Sequence, residues 1–381
     1  MQTEHTDALP SHVSWTENET LQTALWLGDH AGKLPRRIVV VDDTLTADEA
    51  FQLANQGAHM LWRGDYHNAR QLLDALARRV DKKKRSKASL SPRQAFNQHR
   101  LAQSRRARLL GSLLLPLDAD GHIPLRRAPD VSAACKAVLG ALEEPTLLPL
   151  RVLQGILGAA EWRRKGIVIP ALEQSLHVHW GVFSPIRGEY IDLVANAPLP
   201  ATRTAFDIGT GSGVLAAVVA RRGVEEVVAT DIDERALACA QENIDRLGLG
   251  KQVRLERVNL FPEGQAGLIV CNPPWLPARP TSAIESAIYD PDSKMLAGFL
   301  AGLAEHLTPD GEGWLIMSDL AELLGLRQRN FLTDAIEAGG LKVLGRLDAR
   351  PKHPKAFDAS DPLHEARVAE VTTLWRLGRQ N

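Results

Sequence analysis

The sequence predicts an α/β protein: a mostly parallel sheet with helices on both faces in the C-terminal half, preceded by a helix-rich N-terminal half and a β-hairpin. Three observations point there. From residue 201 the pattern alternates between strand and helix: TAFDIG, a helix from 213, EVVATD, a helix from 233, VRLERV, GLIVCN, a helix near 293–306, and GWLIMS. Such alternation builds a parallel sheet, because each crossover helix must bury its apolar stripe on a sheet face. A glycine-rich turn, FDIGTGSGVL at 206–215, lies where one of these strands passes into a helix. Another strand ends in VCNPPWLP, residues 270–277, a polar, rigid and aromatic corner.

Ahead of these, Ile38–Val41 reads as a strand, followed by helical patterns through Ala50–Ala54 and Ala69–Leu76. DKKKRSKASLSPRQ reads as a polar linker or loop leading into a helix near 93–112, and 129–165 is helical in pattern with breaks at Pro145 and Pro149. A hairpin follows: Ile167, Ile169 and Leu172 alternate, Glu173-Gln174-Ser175 turns, and Leu176, Val178 and Trp180 alternate on the return. His177 and His179 fall on its polar side, where inert, exposed histidines are expected. At 381 residues the chain is long enough for two domains, divided here into 1–164 and 165–381.

Composition excludes several classes. Forty-five Lys and Arg against 46 Asp and Glu leave a net charge of −1, which rules out a uniformly basic coat and an acidic disordered chain. Cys135, Cys239 and Cys271 form neither a CxxC pair nor an even framework, so neither disulfide nor metal site is expected. The polar start, MQTEHTDALP, and the absence of an apolar run of ~18 residues suit a cytoplasmic protein without a membrane span.

In the glycine turn, Gly209 and Gly211 allow a tight bend and close approach of the backbone to a ligand, and Gly213 admits close helix packing. Asp231 ends the next strand, where a carboxylate can accept the hydroxyl protons of a ribose. Together they point to a nucleoside cofactor. A nicotinamide dehydrogenase uses the same turn and acid, so the discriminating signal lies downstream.

That signal is the corner Asn272-Pro273-Pro274-Trp275. The parallel sheet delivers Asn272 to the carboxyl edge, where ligands of open α/β folds bind. Each proline fixes its own φ and restrains the residue before it, so the corner is preorganised. With Asn272 Oδ1 and the Pro273 carbonyl accepting the two N–H bonds of a conjugated amine, the nitrogen lone pair turns toward an electrophilic methyl group, and Trp275 stacks on the attached planar group. A dehydrogenase gives no reason for this corner.

DIGTGSG, ATDID and NPPW resemble the class I S-adenosylmethionine-dependent methyltransferases whose fourth strand ends in Asn-Pro-Pro-aromatic, over roughly residues 165–380. The resemblance implies a Rossmann-like, seven-stranded sheet. It also implies that Asp207, Gly209 and Gly211 lie against the methionine portion of the cofactor, with Asp231 on the ribose, Ile232 against the adenine and Asn259 beside the adenine amino group. Asn272 through Trp275 would hold the acceptor. The family often has Asp where this chain has Asn259, and Tyr or Phe where it has Trp275.

Two subfamilies share this corner, acting on nucleic-acid bases or on glutamine amides of proteins such as release factors. HWGVFSPIRGEY, residues 179–190, is similar to both: GVFS to bacterial ribosomal-RNA guanine methyltransferases, and Pro185, Arg187 and Glu189 loosely to the glutamine enzymes. A basic block discriminates. Between 78 and 108, Arg78, Arg79, Lys82, Lys83, Lys84, Arg85, Lys87, Arg93, Arg100, Arg105, Arg106 and Arg108 face only Asp81, so the stretch carries +11 and the remaining chain −12. The same block also reads as a solvated linker and charged helix face. The expectation is an N-methyltransferase acting on a base in RNA, probed by an N-terminal substrate-recognition domain. A glutamine methyltransferase, a small-molecule enzyme and a silent RNA-binding scaffold are the alternatives. Lys352, His353 and Lys355 are expected at the catalytic edge if the strand before them, LKVLGRLDA, is parallel.

Overall fold

The structure, a computed structural model, describes residues 11–28, 34–82, 90–186, 188–280 and 284–380. The chain divides into two compact units, Met1–Ser89 with His99–Glu161, and Leu90–Gln98 with Trp162–Asn381.

The first unit's elements run β1 (His12–Glu17), β2 (Thr20–Trp26), β3 (Ile38–Val41), α1 (Ala47–Asn55), β4 (His59–Trp62), α2 (Tyr66–Val80), α3 (Pro92–Leu110), β5 (Leu113–Leu117), α4 (Ser132–Leu139), β6 (Thr146–Pro149) and α5 (Leu150–Lys165). The first residues of α3 and the last of α5 belong to the second unit. The expected helices are present, and they pack on a mixed six-stranded sheet of order β1-β2-β6-β5-β4-β3, of which the sequence pattern marked β3 but not β5 or β6. The reason is physical. Leu113–Leu117 is a short, continuously apolar run and Thr146–Pro149 is apolar after its first residue, every residue of both is buried, and such runs carry no periodicity that separates strand from helix. Thr46 caps α1, its side chain accepting from Glu49 N while Glu49 accepts from Thr46 N.

In the second unit the hairpin is shorter than expected: β7 (Ile167–Ile169) and β8 (Gln174–Leu176) flank a turn closed by Glu173 at φ 52°, and Val178 and Trp180 lie beyond the pairing. Then follow α6 (Glu189–Asn196), β9 (Thr204–Ile208), α7 (Val214–Arg221), β10 (Glu226–Asp231), α8 (Glu234–Arg246), β11 (Val253–Arg257), β12 (Ala266–Cys271), α9 (Lys294–His306), β13 (Leu307–Ser318), α10 (Leu320–Leu323), α11 (Phe331–Ala338), β14 (Leu341–Ala349), α12 (His364–Ala369) and β15 (Thr372–Arg379). The seven strands lie in the order β11-β10-β9-β12-β13-β15-β14, and only β15 is antiparallel to its neighbours. This is the Rossmann-like sheet with helices on both faces.

Alternation along the strands sorts two cores. Ala205, Leu268, Val270, Trp314 and Ile316 face α6 and α7, while Phe206, Ile269, Cys271, Leu315 and Met317 face α9 and α11. All three cysteines are buried thiols. No helix among the described residues is long and apolar enough to cross a membrane.

Candidate functional site

β9 and β12 are neighbours, with Ile208 and Cys271 paired in register. Gly209 and Asn272 therefore leave the sheet side by side, and the two motifs read from the sequence meet at one carboxyl edge. β10, on the other side of β9, brings Asp231 to the same edge.

The glycine turn needs its glycines. Gly209, Gly211 and Gly213 have φ of 71°, 57° and 81°, a left-handed region that side chains with a Cβ rarely occupy. A Cβ on Gly209 would stand 2.6 Å from Met295 Cε, and one on Gly213 would stand 3.2 Å from Ala240. Asp207, 2% exposed, braces the turn from beneath: its Oδ2 accepts from Thr210 Oγ1 at 2.6 Å and from Ala216 N at 3.0 Å. Burial pushes its carboxyl up to about 6 despite those bonds. Asp231 Oδ2 accepts from Gly211 N at 3.0 Å and Oδ1 from Asp233 N at 2.9 Å, and burial raises this carboxyl too. The Ile232 N–H also bonds this carboxylate, and of its roughly four acceptor sites the remainder is open to a ligand hydroxyl.

Ile232 is 54% exposed beside it, an apolar surface at an edge that otherwise offers polar groups. Asn259 is exposed just beyond β11, next to Leu260, whose carbonyl accepts from Thr230 Oγ1 at 2.7 Å. Open glycine backbone, a carboxylate with spare acceptor sites and an exposed apolar face fit an adenosine nucleoside joined to an amino acid.

At the second motif, Asn272 and Trp275 are half-buried and Pro273 is buried. Trp275 Nε1 donates to Asn272 Oδ1 at 3.0 Å, so the indole fixes which way the amide faces. The chain beyond is strapped down: Leu276 N donates to the Ile288 carbonyl at 3.2 Å, and Asp290 N donates to the Leu276 carbonyl at 2.9 Å. Behind the corner stands Arg327, whose Nη2 donates to the Trp275 carbonyl at 3.0 Å and to Ser293 Oγ at 3.2 Å. Phe96, the one aromatic of the basic block, is buried here against Leu276, Leu320 and Leu324.

A small cleft beside Trp275 is lined by Glu189, Tyr190, Pro351 and Thr372. Glu189 Oε1 accepts from Lys352 N at 2.6 Å, which pins the loop after β14 to the start of α6. β14 runs parallel to the central strands, so this loop does emerge at the carboxyl edge with Lys352 and His353; of Lys355 only the backbone is described. Arg187 and the block residues Lys83, Lys84, Arg85 and Lys87 lie outside the described residues.

Elsewhere the structure changes two expectations. His177 and His179 are half-buried and partnered: His179 Nε2 lies 2.7 Å from Glu242 Oε2, and His177 Nδ1 lies 2.5 Å from the Arg163 carbonyl. The basic block is also less free than its charge suggests. Arg79 pairs with Asp48, Arg106 with Asp81, and Arg108 donates to the Ala54 carbonyl, while Arg78, Lys82, Arg93 and Arg105 are exposed. Arg327, Asp290 and Thr372 carried no signal in sequence, since a lone Arg between helices has no local pattern.

The family model for ribosomal protein L11 methyltransferase (PrmA) matches residues 193–273. A release factor glutamine methyltransferase of Gloeobacter violaceus is 31% identical over 204 residues, covering 48% of this chain and 67% of that protein. The chain belongs to the S-adenosylmethionine-dependent methyltransferase family that includes these enzymes. This methyltransferase is also 36% identical over 145 residues to the ribosomal protein L11 methyltransferase of Pelotomaculum thermopropionicum, covering 38% of this chain but only 39% of that one. It is 29% identical over 163 residues to the tRNA1(Val) (adenine(37)-N6)-methyltransferase of Shewanella loihica, covering 39% and 66%. Among solved structures, the ribosomal protein L11 methylase of Lactobacillus delbrueckii subsp. bulgaricus matches 55% of this chain at 19% identity and a TM-score of 0.39. The methyltransferase uses S-adenosylmethionine as its methyl donor, and the donor set around Asp207, Gly211 and Asp231 fits that cofactor.

Proposed function

We propose that the protein methylates an exocyclic amine of a base in RNA, with ribosomal RNA as the first candidate. Gly209 and Gly211 would lie along the methionine portion of the donor, Asp207 would hold the turn that places it, Asp231 would accept from the ribose hydroxyls, and Ile232 and Asn259 would flank the adenine. When bound, the donor supplies an electrophilic methyl group on a sulfonium sulfur.

The acceptor nitrogen would enter beside it at Asn272. One lone pair of Asn272 Oδ1 is used by the Trp275 indole, leaving the other for an acceptor N–H, and the Pro273 carbonyl takes the second. Held so, the nitrogen directs its own lone pair at the methyl group, and the gain is one of orientation. Neither Asn272 nor a carbonyl can keep the proton the nitrogen then sheds, so it passes to water. A base inside a duplex would have to flip out to reach this edge.

The observation that carries the RNA reading is the segregation of charge, +11 on residues 78–108 against −12 elsewhere. Phosphate backbones reward such segregation, since each neutralised phosphate releases counterions. A second reading, methylation of a glutamine amide in a translation factor or ribosomal protein, is favoured by the release factor glutamine methyltransferase relative, and the L11 methyltransferase relative supports a ribosomal protein as the substrate class without specifying the amide. A planar carboxamide offers the same two N–H bonds to Asn272 and Pro273. Radiolabelled methyl transfer from S-adenosylmethionine to extracts of cells lacking this protein separates the two. Label released by nuclease supports the base, and label released only by protease moves the glutamine reading to first place.

A further inference from the structure

We propose that Arg327 is a positioning residue for methyl transfer, locking the turn 290–295 as a strut that holds the cofactor loop and the acceptor corner in one register. The inference rests on Asn272–Trp275 being the acceptor corner.

The Arg327 side chain is 3% exposed, yet the carboxylate it pairs with among the described residues, Glu322, is a distant 3.5 Å away, and Asp290 acts on it only through its charge. A buried guanidinium so weakly paired is a poor device for stability, because its desolvation is not repaid by a close ion pair. Its short contacts lie elsewhere. One nitrogen, Nη2, bridges the Trp275 carbonyl and Ser293 Oγ, and the group lies over the Phe331 ring at 5.4 Å. The fork therefore joins the acceptor corner to the turn that begins α9.

That turn is itself held in an unfavourable shape. Asp292 and Ser293 are consecutive non-glycine residues at φ 57° and 55°, a conformation that persists only where surroundings over-determine it. Asp290 supplies part of the restraint, its two oxygens accepting from Met295 N and Leu296 N at 3.1 Å each. Arg327, through Ser293 Oγ, supplies another. The far end of the same turn is Met295, whose Cε packs so close to Gly209 that a Cβ placed there would stand 2.6 Å from it. One strained turn thus touches the glycine loop at Met295 and, through Arg327, the carbonyl of Trp275. Donor and acceptor are set against each other by this strut, and a misplacement of about 1 Å between them is enough to cost ~100-fold in rate.

The test uses the full chain carrying Arg327→Met together with Glu322→Gln, so that no lone buried carboxylate remains, alongside Arg327→Lys. Methyl transfer to extracts of cells lacking the protein, S-adenosylmethionine affinity by calorimetry, melting temperature, and the 19F resonance of Trp275 in 5-fluorotryptophan-labelled protein are measured, the resonance being assigned with Trp275→Phe. The double variant is expected to bind the cofactor within about twofold of wild type, to transfer methyl roughly 10- to 100-fold more slowly, and to show a broadened or split Trp275 resonance, with Arg327→Lys recovering part of the rate. Unchanged transfer overturns the inference, and so does a rate loss matched by an equal loss of cofactor affinity, which marks a merely structural role. If the double variant fails to fold, Ser293→Ala decides, since it removes one anchor alone: slower transfer with intact cofactor binding supports the strut, and wild-type transfer overturns it. Asn272→Ala in the same assay separates the failures. Should that variant still turn over, the acceptor corner itself is misassigned; should it be dead while the Arg327 variants are normal, only the strut falls.

Discussion

The indole of Trp275 and the side-chain carbonyl of Asn272 are hydrogen-bonded at 3.0 Å across a Pro-Pro turn. The acceptor amide is thereby oriented before any substrate arrives, by a donor that Phe cannot supply. Trp275→Phe should keep the aromatic surface and lose the orienting bond, so transfer should slow about 2- to 10-fold, the range expected from one net hydrogen bond. Trp275→Ala should lose stacking as well and fall further. Steady-state rates at saturating cofactor measure both, and equal rates for Trp275→Phe and wild type would show that the two prolines alone orient Asn272.

Asn272→Ala removes the acceptor for one N–H of the target and should reduce transfer at least ~100-fold. Cofactor affinity should stay within a factor of about two, because Asp231 and the glycine turn are untouched. Calorimetry with S-adenosylmethionine beside the transfer assay reads both quantities.

Asp231→Ala should act in the opposite way. It deletes a carboxylate proposed to accept from ribose hydroxyls and also frees Gly211 N, now bonded to it at 3.0 Å. Hydrogen bonds to a charged group are worth roughly 1.5–3 kcal/mol, so the cofactor dissociation constant should rise about 10- to 100-fold. An unchanged constant would remove Asp231 from the ribose site.

Asp207 gives a pH signature. Its carboxyl is raised from 3.8 to about 6 by burial, so between those values the folded protein binds a proton that the unfolded chain has released. Its contribution to stability is complete below about pH 4 and is lost as pH rises through 6. Asp207→Asn cannot ionise and can still accept from Thr210 and Ala216. The melting temperature of that variant minus that of wild type should therefore climb between pH 4 and 7, by about 5 °C. A difference independent of pH would mean that Asp207 titrates normally in the fold.

On the RNA reading, exposed Arg93 and Arg105 are phosphate contacts. Each contributes about 0.7 to 0.9 to the slope of log affinity against log salt. Arg93→Gln with Arg105→Gln should flatten that slope by about 1.5 for RNA purified from cells lacking the protein. An unaltered slope would leave the block as a solvated helix face.

What the sequence determined by itself was everything encoded in consecutive residues. FDIGTGSG announces a strand-to-helix turn because left-handed glycines have few other uses at that spacing, Asp231 ends the next strand, and NPPW stiffens a strand end wherever it is placed. These features fixed the fold of the second unit and the donor chemistry. Short apolar runs hid the strands of the first unit, since Leu113–Leu117, buried throughout, has no polar alternation to mark its period.

Tertiary structure alone decided what surrounds the corner. Glu189, Arg327, Asp290 and Thr372 are far apart along the chain; the strand order brings β9 beside β12, and contacts of Arg327 and Met295 bring the turn before α9 against Trp275 and Gly209. It also decided that Arg79 and Arg106 are paired while Arg93 and Arg105 are not buried, and that His179 meets Glu242 rather than water. Such pairings depend on side chains meeting across the fold, and a local pattern carries no record of a partner dozens of residues away.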